Sequence, residues 1–184
     1  MPRPSAAAVI AVTAPAAIVL CAAPAVYAAR YLTVEEAQRL AFPEATRFAE
    51  AHVIFQPAQV AAIERLSGQK VRARGQQVWR AEAGAHFLGF FIVDYVIGKH
   101  LVIDYAVSLE PDGRVKAVEV LEYRENYGSE ITSHSWLEQF RGKTSRDPVT
   151  TDQDIRNISG ATLSSRHVTE GVKRILAFYD TCLR

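Results

Sequence analysis

Cysteine is almost absent from this 184-residue chain, with only Cys21 in an N-terminal apolar stretch and Cys182 near the C-terminus. An excess of charge of one sign is missing too, since 21 basic residues face 20 acidic ones. That balance lacks the basic patch of a nucleic-acid binder, so no nucleic-acid partner is expected. The histidines, His52, His86, His100, His134 and His167, include no pair at i, i+3 or i+4, so their spacing lends no support to zinc or haem ligation. There is no nicotinamide fingerprint and no internal repeat. The single long uncharged run lies at the start, between Arg3 and Arg30.

That run reads as a targeting segment. A basic residue, an alanine-rich apolar stretch, and the small residues Val26 and Ala28 at −3 and −1 describe a secretory signal over residues 1–28. The alternative is a retained membrane anchor facing the periplasm, because the run exceeds the ~20 residues that span a bilayer; Pro15 and Pro24 interrupt it. Leu20 before Cys21 argues against lipidation, where a small residue is needed. Cleavage would remove Arg3, the one excess charge, and leave residues 29–184 formally neutral, with Cys182 as the only thiol. An intramolecular disulfide and a cysteine-held metal or iron–sulfur centre are then excluded. The remainder is long enough for one domain with its own core.

Along that domain, Thr33 with Glu36 three residues later is a capping box, predicting a short helix to Ala41 that stops at Phe42-Pro43. A strand is expected around His52–Phe55. Pro57 at a helix start and Gly68 after its end bracket a second helix. From Lys70 to Tyr123 the pattern turns to strands: Lys70–Arg74 with Gly75 as a break, then Val78–Ala81, Phe87–Val93, Leu101–Val107 and Val115–Leu121. Pro111-Asp112-Gly113 is a turn that makes the last two a hairpin. Asp94 and Asp104 on these strands are expected at edge or exposed positions, and Lys99-His100 at an exposed turn. The fold class is α+β, an antiparallel sheet meander flanked by N-terminal and C-terminal helices.

The most informative stretch is Ser159-Gly160-Ala161-Thr162-Leu163-Ser164-Ser165. It precedes a helix whose apolar residues Val168, Val172, Ile175, Leu176 and Tyr179 share one face, with Arg166, Glu170, Lys173 and Arg174 opposite. A helix start offers amide donors without intrahelical partners and the positive end of the macrodipole, which together suit an anion. Gly160 and Ala161 leave room for a phosphate to approach. The hydroxyls of Thr162 and the serines can bind it or be esterified by it. Without a ligand, the same residues would be an ordinary helix cap.

Ser159-Gly160-Ala161-Thr162, with Leu163-Ser164-Ser165 after it, resembles the flavinylation motif of the FMN-binding domain family, which includes subunits of membrane electron-transport complexes. A preceding block resembles that family as well: Glu125-Asn126-Tyr127-Gly128-Ser129-Glu130-Ile131, then Trp136 and Gln139-Phe140-Arg141-Gly142-Lys143. The resemblance implies FMN as cofactor, joined through a phosphoester to Thr162 by a periplasmic flavin transferase. Ser159, Gly160, Ala161 and the amides near Leu163 and Ser164 would hold the phosphate. Trp136 would touch the flavin ring or else fill the core. Tyr127-Gly128 would let backbone approach the flat ligand, and Glu130 or Lys143 would hydrogen-bond it. The family's aspartate three residues before the serine is replaced by Arg156, the nearest acids being Asp154 and Asp152.

The expectation is thus a periplasmic electron-relay flavoprotein exchanging electrons with a membrane oxidoreductase or another redox partner. Two alternatives stay open: a non-catalytic extracytoplasmic binding or sensory module of the same fold, and a reductase with non-covalent FMN. A hydrolase centred on Ser159 would need a positioned base, which His167 alone does not supply.

Overall fold

Alternating apolar and polar residues in the middle of the chain build one antiparallel sheet, with helices from both chain ends packed on its two faces. The structure, a computed structural model, describes residues 29–125 and 127–184. Its elements are β1 (Ala29–Arg30), α1 (Val34–Ala41), β2 (Arg47–Ile54), α2 (Pro57–Ser67), β3 (Gly75–Ala83), β4 (His86–Ile97), β5 (Val102–Leu109), β6 (Val115–Tyr123), α3 (His134–Leu137) and α4 (Thr162–Phe178). The strands lie in the order β1-β6-β5-β4-β3-β2, every pair antiparallel. This is the expected meander, with β1 added at the β6 edge. The targeting segment proposed for residues 1–28 lies outside the described residues.

Strand β4 shows why the sheet needs cover on both sides. Phe90 and Ile92 point into the cluster under α2 and α4, while Phe91 points into the cluster under α1. Phe91 and Ile92 are fully buried, each contributing about 1.5–3 kcal/mol of apolar transfer. Helix α1 starts as expected: Thr33 Oγ1 accepts the Glu36 amide at 3.2 Å and Glu36 Oε2 accepts the Thr33 amide at 2.8 Å. Helix α2 begins at Pro57 and ends at Gly68 in the left-handed region (φ 70°). Helix α4 buries Val168, Val172, Ile175 and Leu176 against the sheet. It packs close because residue 171 is glycine; a Cβ there would lie 2.1 Å from Tyr105 Oη.

Three expectations are corrected. Lys70–Arg74 is not a strand: Pro57 turns the chain into α2, so β2 ends at Ile54, opposite Gly75, and past it only the Phe55 amide reaches this segment, donating to Arg74 O at 3.0 Å. Glu64 instead accepts the Val71 amide at 3.0 Å and pairs with Lys70 at 2.8 Å. Asp94 is not exposed. Its side chain is 10% accessible, pairs with Arg174 at 2.6 Å and accepts from Tyr105 Oη at 2.9 Å. Arg174 therefore leaves the solvent face assigned to it and turns toward the sheet.

Candidate functional site

The first turn of α4 is built without a side-chain cap. Ala161 occupies the N-cap position (φ −123°, ψ 27°), and the first helical bond runs from the Ser165 amide to Ala161 O at 2.9 Å. The amides of Thr162, Leu163 and Ser164 have no acceptor among the described residues. Omitting a cap costs a helix about 1 kcal/mol, so a 17-residue helix that does so keeps an anion-binding end in reserve. Gly160 holds φ +87°, and no atom lies within 4 Å of where its Cβ would be. Ser159, Gly160, Thr162 and Leu163 are exposed. The Thr162 hydroxyl makes only a 3.4 Å contact with Ile158 O, so its oxygen is free to react.

Two other segments close on this turn. A bulge in β6 leaves Leu121 unpaired between Val120, opposite Tyr105, and Glu122, opposite Asp104. The extra residue swings Tyr123 onto the α4 face. There Tyr123 Oη donates to Tyr127 O and lies 3.4 Å from Ser164 Oγ. Gly128, left-handed at φ +88°, sits so near that a Cβ would fall 2.7 Å from Ala161 Cβ. Glu125 Oε1 accepts the amides of His100 and Leu101, the latter at 2.8 Å. Burial would raise the Glu125 pKa, but those hydrogen bonds outweigh it and hold the carboxyl below its usual value. His167 Nδ1 lies 2.6 Å from Ile97 O and must carry the proton there. Residues 97–101, the stretch 123–125 with 127–128, and 158–167 thus meet at one point, although they are far apart in sequence.

Beside Thr162 runs a groove of about 270 Å³, lined by Thr150, Asn157, Thr162, Arg166 and Lys173 among others. Arg166 pairs with Glu170 at 2.9 Å; Lys173 has no acidic partner among the described residues. Pockets that enclose a drug-sized ligand run from about 300 to 1,000 Å³. The groove suits a phosphate and its linker rather than a whole flavin.

The sequence-assigned residues divide accordingly. Ser159, Gly160, Ala161, Thr162, Leu163 and the Ser164 amide share the α4 start, and Gly128 touches Ala161. Tyr127 is 86% exposed beside them. The Ser164 and Ser165 side chains turn inward, Ser165 Oγ donating to Asn157 Oδ1 at 2.6 Å; within α4's first turn only Thr162 keeps an outward hydroxyl, with exposed Ser159 three residues before it. Trp136 fills core space: it is 5% exposed, its indole N–H donates to Arg156 O at 2.7 Å, and its ring meets Phe140 edge-on. Lys143 pairs with Asp154 at 2.9 Å, and Glu130 is exposed on a 3₁₀ turn. Asp154 also accepts the amides of Val149 and Thr150, so this acid is spent on its own loop. Tyr123 was missed. A bulge carries no periodic signal, and the strand reading of Tyr123 gave no face to its hydroxyl.

Residues 98–177 match the FMN-binding domain family. Over those 80 of its 184 residues the chain is similar to an FMN-binding domain. The match opens at Gly98 and ends at Ala177, taking in all but one residue of the three converging segments. The crystal structure of NqrC from Shewanella oneidensis resembles this one with a TM-score of 0.54 and 19% identity, over 78% of this chain and 84% of that one. No curated protein matches the chain. The cofactor is FMN, and the protein is a flavoprotein. The residues present fit that group: free amides and an open glycine for its phosphate, a groove for its linker, and exposed apolar side chains at Tyr127 and Leu163.

Proposed function

We propose that this flavoprotein relays electrons outside the cytoplasm, carrying FMN as a phosphoester on Thr162. The observation that carries the reading is the exposed Thr162 hydroxyl at the first position of α4, beside three amides without partners. FMN supplies the redox chemistry when bound; the chain's own residues hold it. The Thr162, Leu163 and Ser164 N–H groups and the α4 dipole would face the phosphate, an arrangement worth about 0.3–1 kcal/mol for a surface anion. Gly128 packs its backbone against the small Ala161 methyl, so neither residue projects a large side chain into the phosphate's approach. Lys173, on the groove wall, is positioned to balance its charge.

Attachment needs an activated donor, because free FMN would have to expel hydroxide. The Thr162 oxygen forms the new P–O bond, the bond from that phosphorus to its nucleotide leaving group breaks, and the hydroxyl proton passes to the transferase's base. A periplasmic flavin transferase is the catalyst this requires. The Arg3-led apolar stretch of residues 1–28 supports export, cleaved or kept as an anchor. A covalent tether makes sense there, since dissociated cofactor would be lost by dilution. A membrane oxidoreductase, or another redox protein at the membrane, is the electron partner that fits.

The test is co-expression with a flavin transferase, denaturation, and in-gel fluorescence under ultraviolet light. Wild type and Ser159→Ala should fluoresce, and Thr162→Ala should not. Yellow protein that bleaches completely on denaturation would refute the ester and point to a reductase with loosely held FMN.

A further inference from the structure

A cavity of about 410 Å³ lies not at Thr162 but on the other flank of α4, between that helix, α2 and β4. Its size is within the range that takes small molecules. Ile63, Val96, Ile175 and Phe178 form an apolar floor, with Phe55 closing one side. Set in that apolar wall is Arg174, whose side chain is 21% exposed. Among the described residues it makes one hydrogen bond, from Nη2 to Asp94 Oδ2 at 2.6 Å. The rest of its five-donor fork carries no acceptor.

Asp94, by contrast, is fully used. Oδ2 takes both Arg174 and Tyr105, and Oδ1 accepts the Tyr95 amide at 2.8 Å. Burial, together with the Asp94 charge, keeps the Tyr105 phenol protonated and donating, its pKa well above the usual value. The pair is therefore held in place from the sheet side, with guanidinium N–H groups to spare.

The other charges around the cavity are largely matched. Lys70 is taken by Glu64 at 2.8 Å and Glu170 by Arg166 at 2.9 Å, leaving Arg72 exposed at the rim. His167 lines the same wall, its Nδ1 held by Ile97 O. A dianion would meet both Asp94 and Glu170, whereas a single planar carboxylate matches the fork of one guanidinium.

We propose that this cavity binds a small organic monocarboxylate with an apolar body, anchored by Arg174 and separate from the FMN site. Arg174 would take the carboxylate while Ile63, Val96, Ile175 and Phe178 cover the body. Because α4 carries Thr162 at its start and Arg174 three turns on, occupancy would bear on the helix that presents the cofactor.

The test is calorimetric titration of the flavin-loaded protein with 4-phenylbutyrate and with 4-phenylbutanamide, its neutral isostere. The carboxylate should bind about tenfold or more tightly than the amide, the scale of one charge-assisted hydrogen bond. Arg174→Gln alone would strand the Asp94 charge, so the informative variant is Asp94→Asn/Arg174→Gln, in which the preference should vanish. Val71→Trp, filling the cavity from its loop wall, should abolish binding of both probes. Equal affinity for acid and amide in the wild type would overturn the anchor. So would binding that appears only in flavin-free Thr162→Ala, which would assign the cavity to the flavin itself. Thr162→Ala retains the cavity residues, so a failed tether and a failed carboxylate site give different results.

Discussion

Replacing Gly171 by alanine sets two known effects against each other inside α4. Glycine in a helix interior costs about 1 kcal/mol relative to alanine, so propensity favours the change. The structure opposes it, because the new Cβ would sit 2.1 Å from Tyr105 Oη and 2.9 Å from its Cζ. Tyr105 is fully buried and its hydroxyl is committed to Asp94, so the ring cannot simply swing away. Overpacking of that kind costs about 1–3 kcal/mol, and losing a hydrogen bond to a charged partner about 1.5–3 kcal/mol. The net expectation is a destabilisation of about 3 kcal/mol. For a domain of this size that lowers Tm by about 6–12 °C. Urea unfolding and a thermal scan of Gly171→Ala would measure it. In a Tyr105→Phe background, where the nearest atom is gone, the same change should cost clearly less, and the cycle isolates the contact. A Gly171→Ala protein as stable as wild type would refute the close packing of α4 on β5, and with it the placement of Arg174 beside Asp94.

Gly128→Ala should lower stability by about 1–3 kcal/mol, through its left-handed backbone and the Ala161 contact, and should reduce fluorescent flavin incorporation on gels. Acid should weaken the 144–155 loop. Asp147 and Asp154 are held below the ordinary carboxylate value, Asp147 by hydrogen bonds from Thr144, and Asp154 by amide and lysine bonds that outweigh its burial. A lowered folded pKa means stability that is present above the unfolded value of about 4 and lost as pH falls through the folded one. Urea midpoints between pH 6 and pH 3 should therefore drop, and Asp154→Asn should flatten that dependence while starting from a lower midpoint. Thr33→Ala, which removes the α1 capping box, should cost about 1 kcal/mol by the same unfolding assay.

Local chemistry explains which parts were readable from residues alone. The α1 capping box, Pro57 and Gly68 around α2, the Pro111–Gly113 turn, and the apolar stripe of α4 are each decided within a few residues. They stand in the structure where the sequence puts them. Lys70–Arg74 failed because alternation states only a willingness to pair, and whether a neighbouring strand reaches that far depends on where α2 begins. Asp94 and Arg174 failed for a related reason. Both sit at positions whose pattern allows exposure, and only their meeting across α4 and β4 makes burial affordable.

The sequence by itself determined the kind of site: a hydroxyl and small residues ahead of a helix, in a pattern shared with FMN-binding domains. Tertiary structure decided which hydroxyl faces out, that Trp136 lies in the core, and that Tyr123 and Gly128 support the turn. The physical reason is range. Caps, turns and helix stripes are settled by neighbours three or four residues apart. A one-residue bulge at Leu121 is settled by pairing with a strand about sixteen residues back, and the approach of α4 to Tyr105 by packing between residues 66 apart, which no local pattern records.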